Sequence, residues 1–496
     1  MDQLTIFDIM YPKYKITKPI RLIEFFAGYG SQALALKYLG VSFEHWKICE
    51  WAVKSIQAYK DIHFADDNID YLALQPYSDK RKWLISWLYE KGISSNYNEP
   101  MTKEQISRLN DEQLKKIYNN IVATSDMVNI QKVKGKDLEI VDTDKYDYIL
   151  TYSFPCQDLS LAGKGKGMSD ISTRSGMLWE VERILTECYE LGTLPQILLM
   201  ENVPQVHGAD NLQDFNKWQL RLDELGYKNY MQDLIATDYG IPQTRNRCFM
   251  VSILGNYSYT FPKPIPLKLK LKDLLENNVD EKYYLSDKMI QYIFSEDDKY
   301  KVNKNSLKLN REIACSKTTR EGWTRADTSD YICEDKIKIA TKPQKIGSLY
   351  EDRQAGSIYS EEATCPTLTT ESSNNWNVLL GEKIKIKNAT KKGYLEATDG
   401  DGIDLSQPNS ETRRGRVQKE QIQTLTTQNN LGVVEDLRIR KLTPKECFRL
   451  MGVKDEDYEK CAKNQSDGSL YHLAGDSIVV NVLMAIFKEL LKIKEI

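Results

Sequence analysis

The stretch that most restricts the fold is an apolar strand pattern followed by a glycine-rich turn and a helical pattern. The run from Ile20 to Phe26 is apolar and bounded, as expected of a buried parallel strand. The turn after it contains Gly28 and Gly30, which let the backbone approach a ligand closely. The free amides at the start of the following helix attract anionic groups. This order predicts an α/β fold whose first loop binds a nucleotide-like cofactor.

A carboxylate stands at the end of the second predicted strand. Glu50 follows the apolar run 46–49, about 20 residues after the glycine turn, where a carboxylate accepts hydrogen bonds from ribose hydroxyls. Trp51 beside it suits stacking on an adenine, and a core position is an equal alternative. The Gly-x-Gly-x-x-Ala pattern occurs in NAD- or FAD-dependent oxidoreductases, and S-adenosylmethionine-dependent enzymes use the same strand, turn and helix, so both classes stay open here.

Composition narrows the class of protein. A chain of 496 residues exceeds one ordinary core, so we expect two domains. Nine cysteines without a Cys-x-x-Cys pair, and four dispersed histidines, favour a reducing cytoplasm and argue against a metal site. We find no secretory signal and expect no membrane-spanning segment or membrane partner. The net charge of −3 gives no sign of nucleic acid, and the basic clusters of the C-terminal half are explained as well by solvated faces.

Residues 66–130 interrupt the α/β pattern with helical periodicity, and Thr102-x-x-Gln105 has the form of a capping box. We expect a helical insertion without chemistry of its own. Asp137, where the α/β pattern resumes, is a candidate acceptor for an adenine amino group, and an ordinary loop aspartate is the alternative.

Two further positions suggest chemistry at strand ends. Cys156 follows Pro155 and the apolar run 148–150, which places it where open α/β sheets bind ligands, although a buried cysteine acting as a small hydrophobe is sufficient by itself. Glu201 ends the apolar run 196–200, and a carboxylate there is costly without a partner or a task.

Arg245 and Arg247 precede the strand pattern 248–253 and are expected to point the same way, as a surface pair also would.

These segments resemble, in order, the motif series of the DNA (cytosine-5)-methyltransferases. The motifs are Phe26-Ala27-Gly28-Tyr29-Gly30, Phe154-Pro155-Cys156-Gln157, Glu201-Asn202-Val203, Gln243-x-Arg245-x-Arg247, the stretch 440–452 and Gly475-Asp476-Ser477-Ile478. The resemblance covers roughly residues 20–65, 130–260 and 435–496. It implies a Rossmann-like S-adenosylmethionine-dependent methyltransferase sheet with helices on both faces and a smaller, partly β target-recognition domain. An oxidoreductase has no use for Pro-Cys-Gln or Glu-Asn-Val and is disfavoured.

The resemblance implies methyl transfer from S-adenosylmethionine to C5 of a cytosine in a specific double-stranded DNA sequence. Because C5 is a weak nucleophile, Cys156 would first add to C6 of a base flipped out of the duplex. Glu201 would protonate or hydrogen-bond N3 of the cytosine, and Arg247 would contact the O2 region. Arg245 would lie near the thiolate. The residues that would hold the cofactor are Phe26, Gly28, Tyr29, Gly30, Glu50, Trp51, Asp137, Pro155 and Ser477.

Residues 263–435 carry no catalytic motif and contain a Thr-Leu echo that suggests short strands. The resemblance makes this segment the target-recognition domain, between catalytic parts 1–262 and 436–496, although two ordinary hairpins explain the echo equally well. The residues that would contact DNA are Gln157, Gln243, Thr367, Leu368, Thr424 and Leu425.

Two positions depart from the family pattern: Ser31 replaces a frequent glycine, and Asp476 replaces the usual asparagine. We expect a cytoplasmic monomer, with a cognate restriction endonuclease encoded elsewhere as a further partner. A transfer-RNA cytosine-5 methyltransferase is the alternative within the class, disfavoured by the long variable segment. Neither the DNA target nor the acceptor of the C5 proton follows from the sequence.

Overall fold

The computed structural model describes residues 12–155, 175–283 and 441–491, with short strands and single residues between 345 and 440. The chain divides into two compact units. Unit 1 comprises Met1–Leu269, Thr424–Thr427 and Pro444–Ile496, and unit 2 comprises Lys270–Gln423 and Gln428–Thr443. The functions predicted for the two domains stay predictions.

A six-stranded mixed β-sheet forms the centre of unit 1, and its strands are β1 (Ile20–Phe25), β2 (Phe43–Cys49), β3 (Asp147–Tyr152), β4 (Ile197–Asn202), β5 (Tyr227–Ile235) and β7 (Asn246–Leu254), with the two-residue β6 (Gln243–Thr244) just before β7. The strand order is β2-β1-β3-β4-β7-β5. Strands β2, β1, β3 and β4 run parallel, whereas β7 is antiparallel to both of its neighbours. The carboxyl ends of β1, β2, β3 and β4 therefore meet at one edge of the sheet, where open α/β folds bind ligands.

The α-helices that the structure describes in unit 1 are α1 (Ser31–Tyr38), α2 (Val53–His63), α3 (Lys80–Lys91), α4 (Lys103–Ser107), α5 (Asp111–Ala123), α6 (Leu178–Leu191), α7 (Leu212–Glu224), α8 (Pro444–Arg449), α9 (Asp455–Ala462), α10 (Asp467–Asp476) and α11 (Val480–Leu490). Alternate residues of β1 show that both faces of the sheet are covered. Ile23 and Phe25 share a core with residues of α6 and α7. Glu24 faces the other way and accepts hydrogen bonds from the Ala33 amide of α1 and the Tyr59 hydroxyl of α2. The predicted fold class is confirmed.

The insertion between α2 and β3 contains α3, α4 and α5, packed around their own apolar cluster. Thr102 and Gln105 form the predicted capping box at the start of α4. Asn110 and Gln113 form a second one at the start of α5. These reciprocal hydrogen bonds satisfy amides that the first turn of a helix leaves without partners.

The C-terminal helices pack against the N-terminal part of unit 1. The amide of Ile16, just ahead of β1, donates to the carbonyl of Leu490 at 2.8 Å. Contrary to the expectation from sequence, one stretch, Asp467–Leu490, is long and apolar enough to cross a membrane. Its most apolar window is 72% buried inside the protein and is divided between α10 and α11, as in core helices of globular proteins.

The strands described in unit 2 are β8 (Lys345–Ser348), β9 (Ser357–Ser360), β10 (Asn377–Leu379), β11 (Ile384–Lys387), β12 (Tyr394–Ala397), β13 (Gly402–Asp404), β14 (Val417–Gln418), β15 (Ile422–Gln423), β16 (Leu431–Glu435) and β17 (Arg438–Lys441). They form small sheets ordered β10-β9-β8, β11-β12 and β14-β13-β16-β17. The β-structure predicted for this region is present. Thr367, Leu368, Thr424 and Leu425 lie outside the described residues.

Candidate active site

The loop between β1 and α1 has the backbone conformation that its glycines predict. Gly28 has φ +56° and Gly30 has φ +84°, in the left-handed region that favours glycine. A Cβ at Gly30 would lie 2.7 Å from the Tyr59 ring, so no larger residue fits. At Gly28 a Cβ would meet no atom within 4 Å, which leaves room for a ligand. Phe26 also has a positive φ, +56°, which is strained for a bulky residue and is typical of functional loops.

The start of α1 is tied to the C-terminal segment. Tyr29 is fully buried, and its hydroxyl lies 2.8 Å from the Ser477 hydroxyl, which donates to it. Burial raises the pKa of Tyr29 to about 12. Ser31 is the first residue of α1, and its hydroxyl accepts from the Ile478 amide at 3.4 Å. Because the Tyr29 ring points into the core, only the backbone of this predicted cofactor residue is available to a ligand.

Glu50 closes the loop from the end of β2. Its carboxylate accepts from the amides of Gly28 at 3.0 Å and Ala52 at 2.8 Å. Burial raises the pKa of Glu50 to about 7, the two amides act in the opposite direction, and the charge of Asp476 raises it further. A buried carboxylate at a glycine turn is a suitable acceptor for the hydroxyls of a ribose.

Asp126, which sequence reasoning did not single out, lies next to Glu50. Its Oδ1 accepts from the amides of Glu50 at 3.0 Å and Val128 at 2.8 Å. Its Oδ2 is buried and has no hydrogen-bond partner among the described residues. Burial raises the pKa of the Asp126 carboxyl well above its usual range. A buried oxygen without a partner is uncommon and indicates a missing donor, such as the amino group of a bound ligand.

Asp137, the predicted acceptor for that amino group, has a different environment. Its carboxylate accepts from the Lys134 amide at 2.9 Å and caps the 3₁₀ turn Gly135–Leu138. That turn is joined to the middle of β2, where Trp46 donates to the Leu138 carbonyl at 2.9 Å. The structure thus brings Asp126, and not Asp137, to Glu50. The signal in the sequence was an aspartate that precedes a short apolar stretch near the end of the insertion.

A second group of polar side chains lies at the ends of β3 and β4. Glu201 is 4% exposed, and its Oε2 accepts from the Ser153 hydroxyl. Its Oε1 lies 3.1 Å from Arg247 Nε, an ion pair across β4 and β7. The neighbouring Asn202 donates its side-chain amide to the Phe154 carbonyl at 2.9 Å. The strand pair thus fixes both the acid and the backbone that leads to Pro155.

Cys156 and Gln157 lie outside the described residues. Pro155 is described, half-buried, and follows Phe154 directly. Trp51 is also half-buried and packs against the apolar cluster of the insertion. Part of its side chain therefore belongs to the core, which was the alternative to stacking on an adenine.

Arg245 and Arg247 do not point the same way, because Arg245 occupies the link between β6 and β7 rather than a strand position. Arg245 is 4% exposed, and its guanidinium donates to the carbonyls of Gly475 at 3.1 Å and Ser477 at 2.6 Å. It therefore holds the C-terminal segment against the glycine loop.

Gln243, which the resemblance assigns to DNA contact, lies in the protein interior, and that assignment stays a prediction. Gln243 is fully buried, and its amide donates to the Leu450 carbonyl at 2.6 Å.

Three potential metal ligands, His207, Asp233 and Cys248, have donor atoms within 4.8 Å of one another. His207 Nε2 lies 3.0 Å from Asp233 Oδ1. Burial, with Asp233 and Glu201 nearby, raises the pKa of the Cys248 thiol. The imidazole–carboxylate pair and a protonated thiol account for this group without an ion.

The sheet, the glycine loop with its acidic acceptors, and the acid–arginine pair at neighbouring strand ends define an α/β transferase that uses a nucleoside-containing cofactor. The family described as C-5 cytosine-specific DNA methylase matches residues 90–492.

Among relatives, the orphan methyltransferase M.SssI of Spiroplasma monobiae is 34% identical over 75% of this chain and 83% of its own. The type II methyltransferase M2.ScrFI of Lactococcus lactis subsp. cremoris is 30% identical over 95% of this chain and 99% of its own. The solved S. pombe Dnmt2 methyltransferase is more distant, with 14% identity, a TM-score of 0.46 and coverage of 94% of this chain and 97% of that one.

The chain belongs to the C-5 cytosine-specific DNA methylase family. It is a DNA cytosine methyltransferase, its substrate is DNA, and its methyl donor is S-adenosylmethionine. The predicted class is confirmed, and neither the oxidoreductase nor the transfer-RNA alternative is favoured.

Asp126→Asn and Asp137→Asn form a matched pair that tests which aspartate meets the cofactor. The first variant keeps Oδ1 as an acceptor but turns an amino group toward the ligand. We expect its Kd for S-adenosylmethionine, measured by calorimetry, to rise about tenfold or more, because a buried donor would face the amino group of the ligand where an acceptor is needed. Its melting temperature should not fall, because burial disfavours the carboxylate. Asp137→Asn should bind normally, and the reverse pattern would restore the original assignment.

Cofactor affinity should rise with pH. The carboxylate form of Glu50 accepts hydrogen bonds, and with a pKa of about 7 it is partly protonated in the free protein at neutral pH. One-proton linkage gives a Kd about tenfold lower at pH 8 than at pH 6. Glu50→Gln should bind weakly and lose most of this dependence; an unchanged slope in that variant would assign it to another group.

Proposed function

We propose that the enzyme methylates C5 of one cytosine in a specific duplex sequence through a covalent bond between Cys156 Sγ and C6. The observation that carries this proposal is the arrangement of Glu201, Ser153 and Arg247 at the ends of β3 and β4. Asn202 holds the Phe154 carbonyl just after the same β3, and Cys156 is two residues further along the sequence. The glycine loop and Glu50 lie at the same edge of the sheet, after β1 and β2.

The chemistry explains why these residue types are needed. Addition of the Cys156 thiolate to C6 moves the electron pair of the C5–C6 bond toward C5, which then attacks the electrophilic methyl group. Removal of the C5 proton and expulsion of the thiolate restore the double bond. S-adenosylmethionine would supply the methyl group from its sulfonium, and the broken S–CH3 bond would leave neutral S-adenosylhomocysteine. Each step needs C6 exposed, so the cytosine must leave the duplex.

Glu201 and Arg247 would stabilise the activated ring. Negative charge developing on the pyrimidine reaches N3 and O2, where a carboxyl proton and a guanidinium are suitable partners. The Ser153 hydroxyl occupies one oxygen of Glu201 and so fixes the direction in which the other points. Arg245 acts at a distance by positioning the C-terminal segment.

The cofactor site would use the residues around the glycine loop. Glu50 would accept from the ribose, and Asp126 Oδ2 would accept the adenine amino group. Gly28 leaves open space for the ligand. Residues assigned by resemblance to the same ligand are Phe26, Tyr29, Gly30, Trp51, Pro155 and Ser477.

Segment 263–435 would read the DNA target, with Thr367, Leu368, Thr424 and Leu425 near the flipped base and Gln157 beside the nucleophile. Catalytic parts 1–262 and 436–496 would flank it. A cytoplasmic location, a monomeric state and a cognate endonuclease encoded elsewhere complete the proposal. Relatives named as type II and as orphan methyltransferases are compatible with an enzyme that has such a partner or lacks one.

Bisulfite sequencing of plasmid DNA treated with the enzyme and S-adenosylmethionine tests this function. Cytosines in one sequence context should be protected by the wild type, and Cys156→Ala should give no protection above background. Glu201→Gln should lower kcat about 10²- to 10⁴-fold, the usual contribution of a general acid.

Cys188→Ser is the matched control, because Cys188 is a buried cysteine on α6 that the chemistry does not use. Protection that survives in Cys156→Ala would contradict the covalent mechanism. Protected cytosines in RNA and none in DNA would favour the transfer-RNA alternative.

A further inference from the structure

The insertion reaches the candidate cofactor site through Tyr97. The ring of Tyr97 stacks on His472 of α10, with centroids 3.9 Å apart and an interplanar angle of 16°. Tyr97 has φ +62°, a strained conformation for a tyrosine that the surrounding contacts must hold. Strain of this kind is found where a side chain is required in one particular place.

The segment carrying Tyr97 is attached directly behind Glu50. The amide of Ser94 donates to the Trp51 carbonyl at 2.7 Å, and the Val53 amide donates to the Ser94 carbonyl at 2.9 Å. The insertion is therefore bonded to the backbone that immediately follows Glu50.

The stack leads to a second acidic group beside the glycine loop. His472 Nδ1 lies 3.0 Å from Asp476 Oδ2, one turn further along α10. Asp476 directly precedes Ser477, whose hydroxyl contacts Tyr29 in the loop. Glu50 is bonded to Gly28 of the same loop. The charge of Asp476 contributes to the raised pKa of Glu50, so the two carboxylates are close enough to repel each other.

We propose that Asp476, positioned by His472 and Tyr97, acts with Glu50 to make the site prefer the positively charged S-adenosylmethionine over its neutral product, S-adenosylhomocysteine. This inference rests on the proposed cofactor site and adds its selectivity. The two ligands differ by one methyl group and one positive charge on sulfur. Hydrogen bonds to ribose and adenine are common to both, so they cannot distinguish substrate from product. A net negative charge at the loop can distinguish the two ligands, because it attracts the sulfonium of S-adenosylmethionine and not the neutral sulfur of S-adenosylhomocysteine.

Calorimetric titration at pH 8 measures the ratio of the Kd for S-adenosylhomocysteine to that for S-adenosylmethionine. In Asp476→Asn this ratio should fall about three- to tenfold, chiefly through weaker binding of S-adenosylmethionine, as expected for one partly screened charge interaction. Tyr97→Phe keeps the stack and should keep the ratio, whereas Tyr97→Ala releases His472 and should lower it. Glu90→Gln removes an exposed carboxylate of α3 and is the control for net charge.

A second readout needs no variant. Raising the salt concentration should lower the ratio in the wild type, because screening weakens the attraction for the sulfonium alone. If both ligands bind but the ratio is the same in wild type and Asp476→Asn and insensitive to salt, the inference is wrong and the proposed function stands. If the wild type binds neither ligand, the proposed cofactor site fails, and the inference with it.

Discussion

Burial of a carboxylate is costly unless its oxygens are bonded, and this constraint governs the organisation of the sheet's functional edge. Glu50 bonds the glycine loop and the start of α2, and its own amide is held by Asp126. These contacts join β1, β2 and the end of the insertion into one rigid corner. The corner has a polar lining because apolar side chains cannot donate hydrogen bonds to the buried carboxylates of Glu50 and Asp126. Asp126 Oδ2 has no donor among the residues that the structure describes, and the proposed cofactor would supply one there.

The cost of burying a carboxylate also determines the contacts of Glu201 at the ends of β3 and β4. Glu201 is buried between Ser153 and Arg247, so its two oxygens have unlike partners. An acid held in this way keeps one orientation while a substrate ring changes charge in front of it. Arg245 fixes the C-terminal segment by donating hydrogen bonds to the backbone carbonyls of Gly475 and Ser477. Two separate groups of contacts, one through Arg247 and one through Arg245, therefore fix the strand ends and the C-terminal segment.

Much of this was predictable from the sequence, because buried parallel strands are apolar runs and their functional residues follow at the carboxyl ends. Strands β1 to β4, Glu50 and Glu201 were found by that rule. Strand β5 was not, because most of its residues are at least partly exposed and give no apolar run. Asp126 was missed because it and Asp137 both precede short apolar stretches, and only the pairing of Ile48 with Asp126 shows that Asp126 lies beside the end of β2. Tyr97 was missed since its role depends on a stack with a residue far away in the chain.

The covalent step is the centre of the account, and trapping it is the most direct measurement. Duplex DNA carrying 5-fluorocytosine at the target site allows thiolate addition and methyl transfer, but the fluorine cannot leave as the C5 proton does. Mass spectrometry of the digested complex with S-adenosylmethionine should find a methylated nucleotide on the peptide that contains Cys156, and none with Cys156→Ala. An adduct on another residue, or efficient methylation of ordinary DNA by Cys156→Ala, would contradict the account.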